Sequence, residues 1–588
     1  MWSFIKSILA CLFAMIIFLM MIVAFISMIA VFSNNGKSAK SIDKEGILYL
    51  DLNYEIREKN PESPFNISFS EIRYSNKLGL MEILSCIQAA KKDKKIKGIY
   101  LEMGVGINCG YATIEALRNE LIDFKKSGKS VIAYGDVVSQ KSYYLATVAD
   151  KIYVNPIGGI DLRGFGGQVT FLKGMLDKLS IETQVYYAGK FKSATEPFRY
   201  KEMSAPNKEQ VKAYLQDFAT IIMSNISNSR NIPEEVLNES INNLTATIPE
   251  TAVEKRIIDG ALYYDQVLQK IKDMHKWDEK DKINFIKSNA YYDQIEKEDG
   301  KKNIAVIVAE GDIIDGKGDN ESIGGDKFAK IIRDIREDEN IKAVVLRVNS
   351  GGGSVLASDI IWRELQLLNA KKPVIASMGD VAASGGYYIA VGSRKIFAQP
   401  NTITGSIGVF GIIPNLQKFF NDKMGITFDE VELNDHAVMN LNKPLDAFEG
   451  NFMQGRIDKI YQDFIHLVAK GRFKEVAAID SIAQGRVWSG VKAKELGLID
   501  EIGGLNEAIK EAAKNADLKE YEIHVYPEEK DAFSSFMSDF SEKASSALIN
   551  HAIVKEGLQD EMKYLRLLKK YKHYHGIKME MPMEIEIN

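Results

Sequence analysis

The stretch GDVAASGGYYIA (residues 379–390) has a near twin upstream, GDVVSQKSYYLA (residues 135–146). Both share the opening Gly-Asp-Val and the tyrosine pair, but Ser384 at the centre of one corresponds to Gln140 in the other. A stretch that recurs with an altered centre suggests a duplicated chain in which one copy has changed its chemistry. Comparison of the chain with itself tests that idea first.

Four further pairs of blocks recur in the same order, at an offset that stays at about 241–245 residues. The pairs are 96–104 with 341–349, 162–168 with 406–412, 179–187 with 424–432, and 252–260 with 493–501. Chance does not hold one offset over so many blocks. The sequence therefore predicts a tandem duplication, and 588 residues are enough for two cores.

Within each copy, short apolar segments alternate with amphipathic ones, as in AVVLRV (343–348), SDIIWRELQLLNA (358–370) and PVIAS (373–377). This alternation predicts an α/β fold with parallel sheets flanked by helices. The predicted domains are a membrane anchor, two repeats and a C-terminal extension that contains EMKYLRLLKKYKHYH, either an added helix or a tail. Their bounds are 1–45, 46–300, 301–515 and 516–588.

The N-terminal residues 7–32 carry no charged side chain. At about 1.5 Å per residue, a helix of this length crosses a hydrocarbon core of about 30 Å. The following AVFSNNGKSAK (30–40) offers no convincing signal-peptide cleavage site. We therefore expect one retained transmembrane helix in contact with the lipid bilayer. Lysines flank it on both sides, at Lys6 and Lys37, so charge does not decide its orientation.

Composition narrows the function further. A net charge of −5 gives no support to nucleic-acid binding. The three cysteines and seven histidines form no metal-binding pattern, so no metal or other cofactor is expected. Pairing of Cys86 with Cys109 is left open.

Chemistry is concentrated in the second copy, where a strand runs into the glycine turn 351–353 and where Ser384 opens a predicted helix. A glycine turn leaves backbone N–H groups free for an oxyanion. A serine at a helix start is usually only a cap. A nucleophilic serine would need a base, and the first copy offers Lys192 in KFKSATEPF (190–198), where the second copy has Ala437.

One copy thus supplies a hydroxyl and the other a lysine, which favours a composite site between the two halves. Two alternatives remain on spacing alone. Lys190 would face the same side as Lys192 in an extended segment. His436, beside Ala437, would pair with Ser384 inside the second copy but would leave the duplication unexplained.

The duplicated frame, the anchor and the motifs RVNSGGGSVLAS (347–358), MGDVAASGGYYIA (378–390), TGSIGVFG (404–411) and KSATEPF (192–198) resemble the long, two-repeat form of the signal peptide peptidase A (protease IV) family. That resemblance covers residues 46–515 and the anchor. It implies two tandem Clp-protease/crotonase-like repeats. It also implies Ser384 as nucleophile, Lys192 rather than Lys190 as general base, and an oxyanion hole from the amides of Gly352 and Gly385.

The same resemblance implies a homotetramer in the bacterial cytoplasmic membrane, with its catalytic body on the extracytoplasmic side. Substrates would be signal-peptide remnants and other short apolar peptides. Ser193 and Glu196 are candidates for orienting the lysine. The family's Ser-Pro-Gly-Gly turn is Ser-Gly-Gly-Gly at residues 350–353, which leaves open which glycine donates. An acyl-CoA hydrolase or hydratase on the same fold, and a catalytically silent anchored scaffold, are the competing hypotheses.

Overall fold

The computed structural model describes residues 13, 15–20, 44–59, 65–68, 71–74, 77–295, 302–319, 321–528, 577–581 and 586–587. Within these ranges no helix is both long and apolar enough to cross a membrane. The predicted anchor at residues 7–32 lies outside the described residues except for positions 13 and 15–20. Of the predicted C-terminal extension at 516–588, the described residues include only 516–528, 577–581 and 586–587.

Six parallel strands of the first repeat form one sheet in the order β10-β1-β4-β5-β6-β9. Strands of this half are β1 (Gly46–Asp51), β2 (Phe65–Ser68), β3 (Glu71–Tyr74), β4 (Ile96–Glu102), β5 (Ser130–Ser139), β6 (Lys151–Asp161), β7 (Gly167–Gln168), β8 (Glu182–Ala188), β9 (Gly260–Ala261) and β10 (Phe285–Lys287). Helices are α1 (Leu80–Lys92), α2 (Tyr111–Lys125), α3 (Gln140–Ala146), α4 (Lys173–Lys178), α5 (Glu196–Arg199), α6 (Ala205–Arg230), α7 (Glu234–Asn242), α8 (Pro249–Glu254), α9 (Tyr264–His275) and α10 (Ser288–Tyr292).

The second repeat builds its sheet in the same order, β22-β11-β14-β16-β17-β21, and β18 and β20 extend it beyond β16. Strands of this half are β11 (Lys302–Glu310), β12 (Asp312–Ile314), β13 (Ser322–Gly324), β14 (Ala343–Ser350), β15 (Gly352–Ser354), β16 (Val374–Ala383), β17 (Lys395–Ala398), β18 (Ile403–Gly405), β19 (Val409–Asn415), β20 (Val487–Ser489), β21 (Glu501–Ile502), β22 (Glu522–Tyr526), β23 (Ile577–Glu580) and β24 (Glu586–Ile587). Helices are α11 (Gly325–Glu337), α12 (Val355–Lys371), α13 (Gly385–Ala390), α14 (Ala447–Arg472), α15 (Val476–Ile482), α16 (Gly490–Glu495) and α17 (Leu505–Asn515).

The matching strand orders confirm the predicted duplication and the α/β class. Central strands such as β14 are buried at nearly every residue, with Asn349 alone partly exposed in β14, as expected for a parallel sheet covered on both faces. Strand β22 lies beyond residue 515 and pairs with β11, in the place that β10 takes beside β1. The domain bounds drawn from the sequence stay a prediction.

A third sheet joins the two repeats in the order β13-β12-β15-β23-β19-β8. Here β8 of the first repeat pairs antiparallel with β19 of the second, from Ala188 opposite Val409 to Glu182 opposite Asn415. The block of the second copy that aligns with β8, residues 424–432, forms no strand. A short helical segment ends at its first residue, Met424. The repeats are therefore alike in their central sheets and different in the segment that carries Lys192.

The cysteine question has a plain answer for two of the three residues. Cys86 is buried, Cys109 is partly buried, and both are free thiols. Cys11 lies outside the described residues. The possible Cys86–Cys109 disulfide is therefore not formed.

Candidate active site

Ser384 lies at the end of β16, immediately before helix α13, and its side chain is fully buried. Its backbone has φ 53° and ψ −113°, a conformation that costs free energy in a residue with a side chain. Although it occupies the N-cap position, its hydroxyl makes no capping hydrogen bond. The cap reading of this serine therefore has no support in the geometry.

The two glycines that follow Ser384 are required by close packing. A Cβ on Gly385 would lie 2.7 Å from the hydroxyl of Ser358, and one on Gly386 would lie 2.5 Å from the carbonyl oxygen of Ser350. Any larger residue would push α13 away from the end of β14. The small-residue run thus holds Ser384 against the glycine turn of the same repeat.

Lys192 reaches Ser384 from the first repeat. Its Nζ lies 2.8 Å from Ser384 Oγ, and the lysine side chain is only 1% exposed. The pairing of β8 with β19 brings the following loop across, and the amide of Phe191 donates to the carbonyl of Gln484 over 2.7 Å. Gly485 has φ 74° and lies so close that a Cβ on it would be 2.7 Å from Lys192 Cα.

Burial lowers the pKa of Lys192. Removal from water disfavours the ammonium form, so the pKa of Lys192 is held well below its ordinary value of 10.5, although the carboxylate of Glu580 acts in the opposite direction. A lower pKa makes the neutral amine, which is the form that can accept a proton, available at lower pH than in an exposed lysine. The close pair of Lys192 and Ser384 therefore has the chemistry of a base and a nucleophile.

Ser406 is a third member of the cluster, and the sequence reasoning missed it. Lys192 Nζ lies 2.9 Å from Ser406 Oγ and 3.0 Å from its carbonyl oxygen. The Ser406 backbone has φ 50°, and its amide donates to the carbonyl oxygen of Arg486 over 2.7 Å. The signal available in the sequence was TGSIGVFG, where the serine follows a glycine at a strand end.

Ser406→Ala is expected to lower kcat by about 10-fold to 100-fold, because the lysine loses one of the polar groups that hold its Nζ toward Ser384. KM should change little, since Ser406 is fully buried and its hydroxyl contacts the lysine amine. Steady-state kinetics on an apolar peptide, the substrate class that the family resemblance implies, measures both constants. An alanine variant with wild-type kcat would remove Ser406 from the site.

The glycine turn 351–353 lies against Gly385, the residue that follows Ser384. The amide of Gly352 donates to Ser350 Oγ over 3.1 Å, and the neighbouring Gly353 lies opposite Met579 in the antiparallel pairing of β15 with β23. The Gly385 amide lies in the first turn of α13, where no intrahelical acceptor exists. Gly385 and the 351–353 turn thus lie together. The individual roles of Gly352 and Gly385 stay predictions.

The proposed orienting residues do not contact the lysine amine. Ser193 donates to the carbonyl of Phe191 over 3.0 Å. Glu196 accepts from the amide of Ser204 at 3.1 Å and from Asn207 Nδ2 at 2.9 Å. Both residues therefore shape the loop and tie it to α6, rather than touching Nζ.

The alternative bases lie elsewhere. Lys190 is exposed, and its amine lies over the ring of Phe191. His436 is 3.2 Å from Glu449 and stacks on Phe448, and no contact of His436 with Ser384 is seen in the described part of the chain. The geometry thus favours Lys192 over both.

The corresponding point of the first repeat is filled by a glutamine. Gln140 Nε2 donates to Tyr111 and to the carbonyl of Gly164, over 2.9 Å and 3.0 Å. Its carbonyl oxygen accepts from the Gly164 amide over 2.8 Å. The side chain that replaces the serine is therefore a satisfied structural amide.

One cluster could hold a metal ion on geometric grounds. Among the described residues, ligand atoms of His436, Asp446 and Glu449 lie within 4.8 Å of one another. Asp446 and Glu449 already form the capping box at the start of α14. Their own hydrogen bonds explain this cluster, so no metal site is assigned.

The chain is similar in sequence to known peptidases. The sequence profile of peptidase family S49 matches residues 123–278 and 366–519, one stretch in each repeat. The chain is 32% identical to "Protease 4" of Haemophilus influenzae over 582 residues, which is 95% of this chain and 94% of that protein. It is 36% identical to "Protease 4" of Salmonella typhi over 76% of this chain and 74% of that protein. It is 33% identical to "Serine protease SPPA, chloroplastic" of Arabidopsis thaliana over 76% and 67% of the two chains.

Proposed function

This chain belongs to peptidase family S49, in the long two-repeat form of signal peptide peptidase A, and is a serine peptidase; on that basis we propose that Ser384 is its nucleophile and Lys192 its general base. The observation that carries the proposal is the buried 2.8 Å contact between Lys192 Nζ and Ser384 Oγ. Family membership also favours peptide hydrolysis over the acyl-CoA chemistry that a crotonase-like fold would allow.

The proposed reaction begins with a neutral Lys192, which takes the proton of Ser384 as the serine oxygen attacks a peptide carbonyl. The negative charge on the carbonyl oxygen is stabilised by the amides of Gly385 and of the 351–353 turn, with Gly352 as the predicted donor. Lys192 then returns the proton to the leaving amine, and an acyl-enzyme on Ser384 remains. Water then attacks the acyl carbon while the same lysine takes its proton. The bond from that carbon to Ser384 Oγ breaks, and the lysine gives the proton to the serine oxygen, which restores the hydroxyl.

The pH dependence follows from the same lysine. Only the neutral amine can act as a base, so kcat/KM should rise with pH as Lys192 loses its proton. Since burial depresses the pKa of Lys192, this rise should have its midpoint well below 10.5. A pH profile of kcat/KM on a peptide without titrating groups measures it. A midpoint at the ordinary lysine value would contradict the assignment.

The substrates we propose are signal-peptide remnants and other short apolar peptides. The uncharged residues 7–32 support anchoring in the bacterial cytoplasmic membrane, which would keep the enzyme beside such substrates. A catalytic body on the extracytoplasmic side, a homotetramer and Clp-protease/crotonase-like repeats belong to the same proposal and rest on the family resemblance.

The test uses the full chain in vesicles that hold a synthetic signal peptide in their bilayer. We expect cleavage of that peptide, covalent labelling of Ser384 by a fluorophosphonate, and loss of both in Ser384→Ala. Turnover of acyl-CoA in place of peptide would support the competing hypothesis. Absence of both activities and of fluorophosphonate labelling in well-folded protein would leave the scaffold hypothesis.

A further inference from the structure

The C-terminal strand β23 fills a slot between two strands of the second repeat. It lies between β15 and β19 and is antiparallel to both. Met579 is opposite Gly353, and Lys578 is opposite Phe410. The amide of Met581 extends the pairing by donating to the carbonyl of Gly351 over 2.7 Å. Residues 577–581 therefore occupy a position that a separate extended peptide could take by β-strand addition.

This slot adjoins the proposed catalytic groups. The carbonyl oxygen of Met579 lies 2.1 Å from where a Cβ on Gly352 would be and 3.1 Å from where a Cβ on Gly385 would be. Gly385 directly follows Ser384. The peptide bond between Met579 and Glu580 thus lies against the glycines proposed to bind the oxyanion, and no residue larger than glycine could stand at position 352.

Alternate side chains of the segment enter apolar pockets. Met579 is 0% exposed and lies in the core of the second repeat, and Ile577 packs against the same core. Met581 packs against the cluster formed by Val211, Tyr214 and Val487. Because every second residue of a strand faces the same side, the slot accepts an extended chain with apolar side chains at alternate positions.

Two other observations bear on how the segment acts. Strand β24, farther along the tail, pairs antiparallel with β7 of the first repeat, which gives the tail a second point of attachment. The carboxylate of Glu580 acts to raise the pKa of Lys192 and so favours the protonated lysine, the form that cannot accept a proton. Attachment within one chain also gives the segment a high effective concentration at the slot.

We propose that residues 577–581 are an intramolecular ligand of the peptide-binding groove and compete with substrate for it. This inference rests on the proposed function, since it takes Ser384 and the glycine turn as the reacting centre. The full chain is then self-inhibited, and a substrate peptide must displace its own C-terminal segment. The groove should also prefer peptides with a long apolar side chain at the position that Met579 now fills.

The first test compares two substitutions in the full-length protein. Met579→Asp places a carboxylate in an apolar pocket and should expel the segment, so kcat/KM for a short apolar fluorogenic peptide should rise at least 10-fold. Met579→Leu keeps an apolar side chain and should stay near the wild-type value. Intact-mass measurement before and after the assay ensures that every protein compared still carries residues 577–588. Unchanged kcat/KM in folded Met579→Asp would overturn the proposal.

A second measurement needs no variant and decides the question if Met579→Asp does not fold. In the wild-type protein, hydrogen exchange at the amides of residues 577–581 should accelerate when a peptide aldehyde saturates Ser384. Protection that persists with the aldehyde bound would place the segment outside the groove. Ser384→Ala separates the two proposals: if it abolishes peptide hydrolysis, the proposed function stands whichever way the segment behaves.

Discussion

Replacement of Ser384 by alanine is expected to lower kcat/KM for peptide hydrolysis by about 10⁴-fold to 10⁶-fold. The hydroxyl is the only group of residue 384 that can form the acyl bond, and its loss leaves only peptide binding and the oxyanion donors. The backbone strain at φ 53° is the same for alanine, so the fold should survive. Steady-state kinetics gives the loss in kcat/KM, and mass spectrometry with a fluorophosphonate should find no adduct.

Ser142→Ala is a matched control for this change. Ser142 is buried in α3, the first-repeat counterpart of α13, and accepts from the amide of Gly104 over 3.2 Å. Loss of that hydrogen bond should cost about 1 kcal/mol of unfolding free energy and leave kcat/KM within about 2-fold of wild type. Peptide hydrolysis that survives in Ser384→Ala would contradict the assigned nucleophile.

The sequence carried much of this fold because duplication leaves a periodic signal. Five recurring blocks predicted two similar α/β units, and the strand orders of both sheets match. The exception is informative. The block 424–432 aligns with β8 but forms no strand. Strand β8 is stabilised by pairing with β19 of the other repeat, and the block 424–432 has no such pairing. Pairing between distant segments leaves no local pattern in either of them.

The candidate site divides in the same way. Ser384 and Lys192 can be predicted because each is missing from the other copy: Gln140 replaces the serine and Ala437 replaces the lysine. Ser406 has no such contrast, since its contact with Lys192 depends on the loop after β18 meeting the loop after β8. For residues 516–588 the sequence predicts only an added helix or a tail, because residues 577–581 form a strand only through pairing with β15 and β19. A contact between residues far apart in the chain could therefore be predicted only where the two copies differ at the aligned positions.

Lys192→Met is expected to lower kcat/KM by about 10²-fold to 10⁴-fold, the usual contribution of a general base. Methionine nearly matches the length of lysine and suits the apolar pocket, but it cannot take the proton of Ser384. Lys190→Met is the matched control, because that side chain is exposed over Phe191 and should leave kcat/KM within about 2-fold of wild type. An inactive Lys190→Met together with an active Lys192→Met would exchange their roles.

The stability of Lys192→Met gives an independent measure of the buried amine. In wild type, the pKa of Lys192 is near 10.5 in the unfolded chain and well below it in the folded one. Between these two values the unfolded chain binds a proton that the folded chain does not, so each unit of falling pH costs about 1.4 kcal/mol of unfolding free energy. Methionine has no such dependence. The unfolding free energy of Lys192→Met minus that of wild type should therefore fall as pH rises toward 10.5, which denaturant titrations at several pH values can measure. A difference that does not change with pH would mean that Lys192 keeps an ordinary pKa and cannot serve as the base.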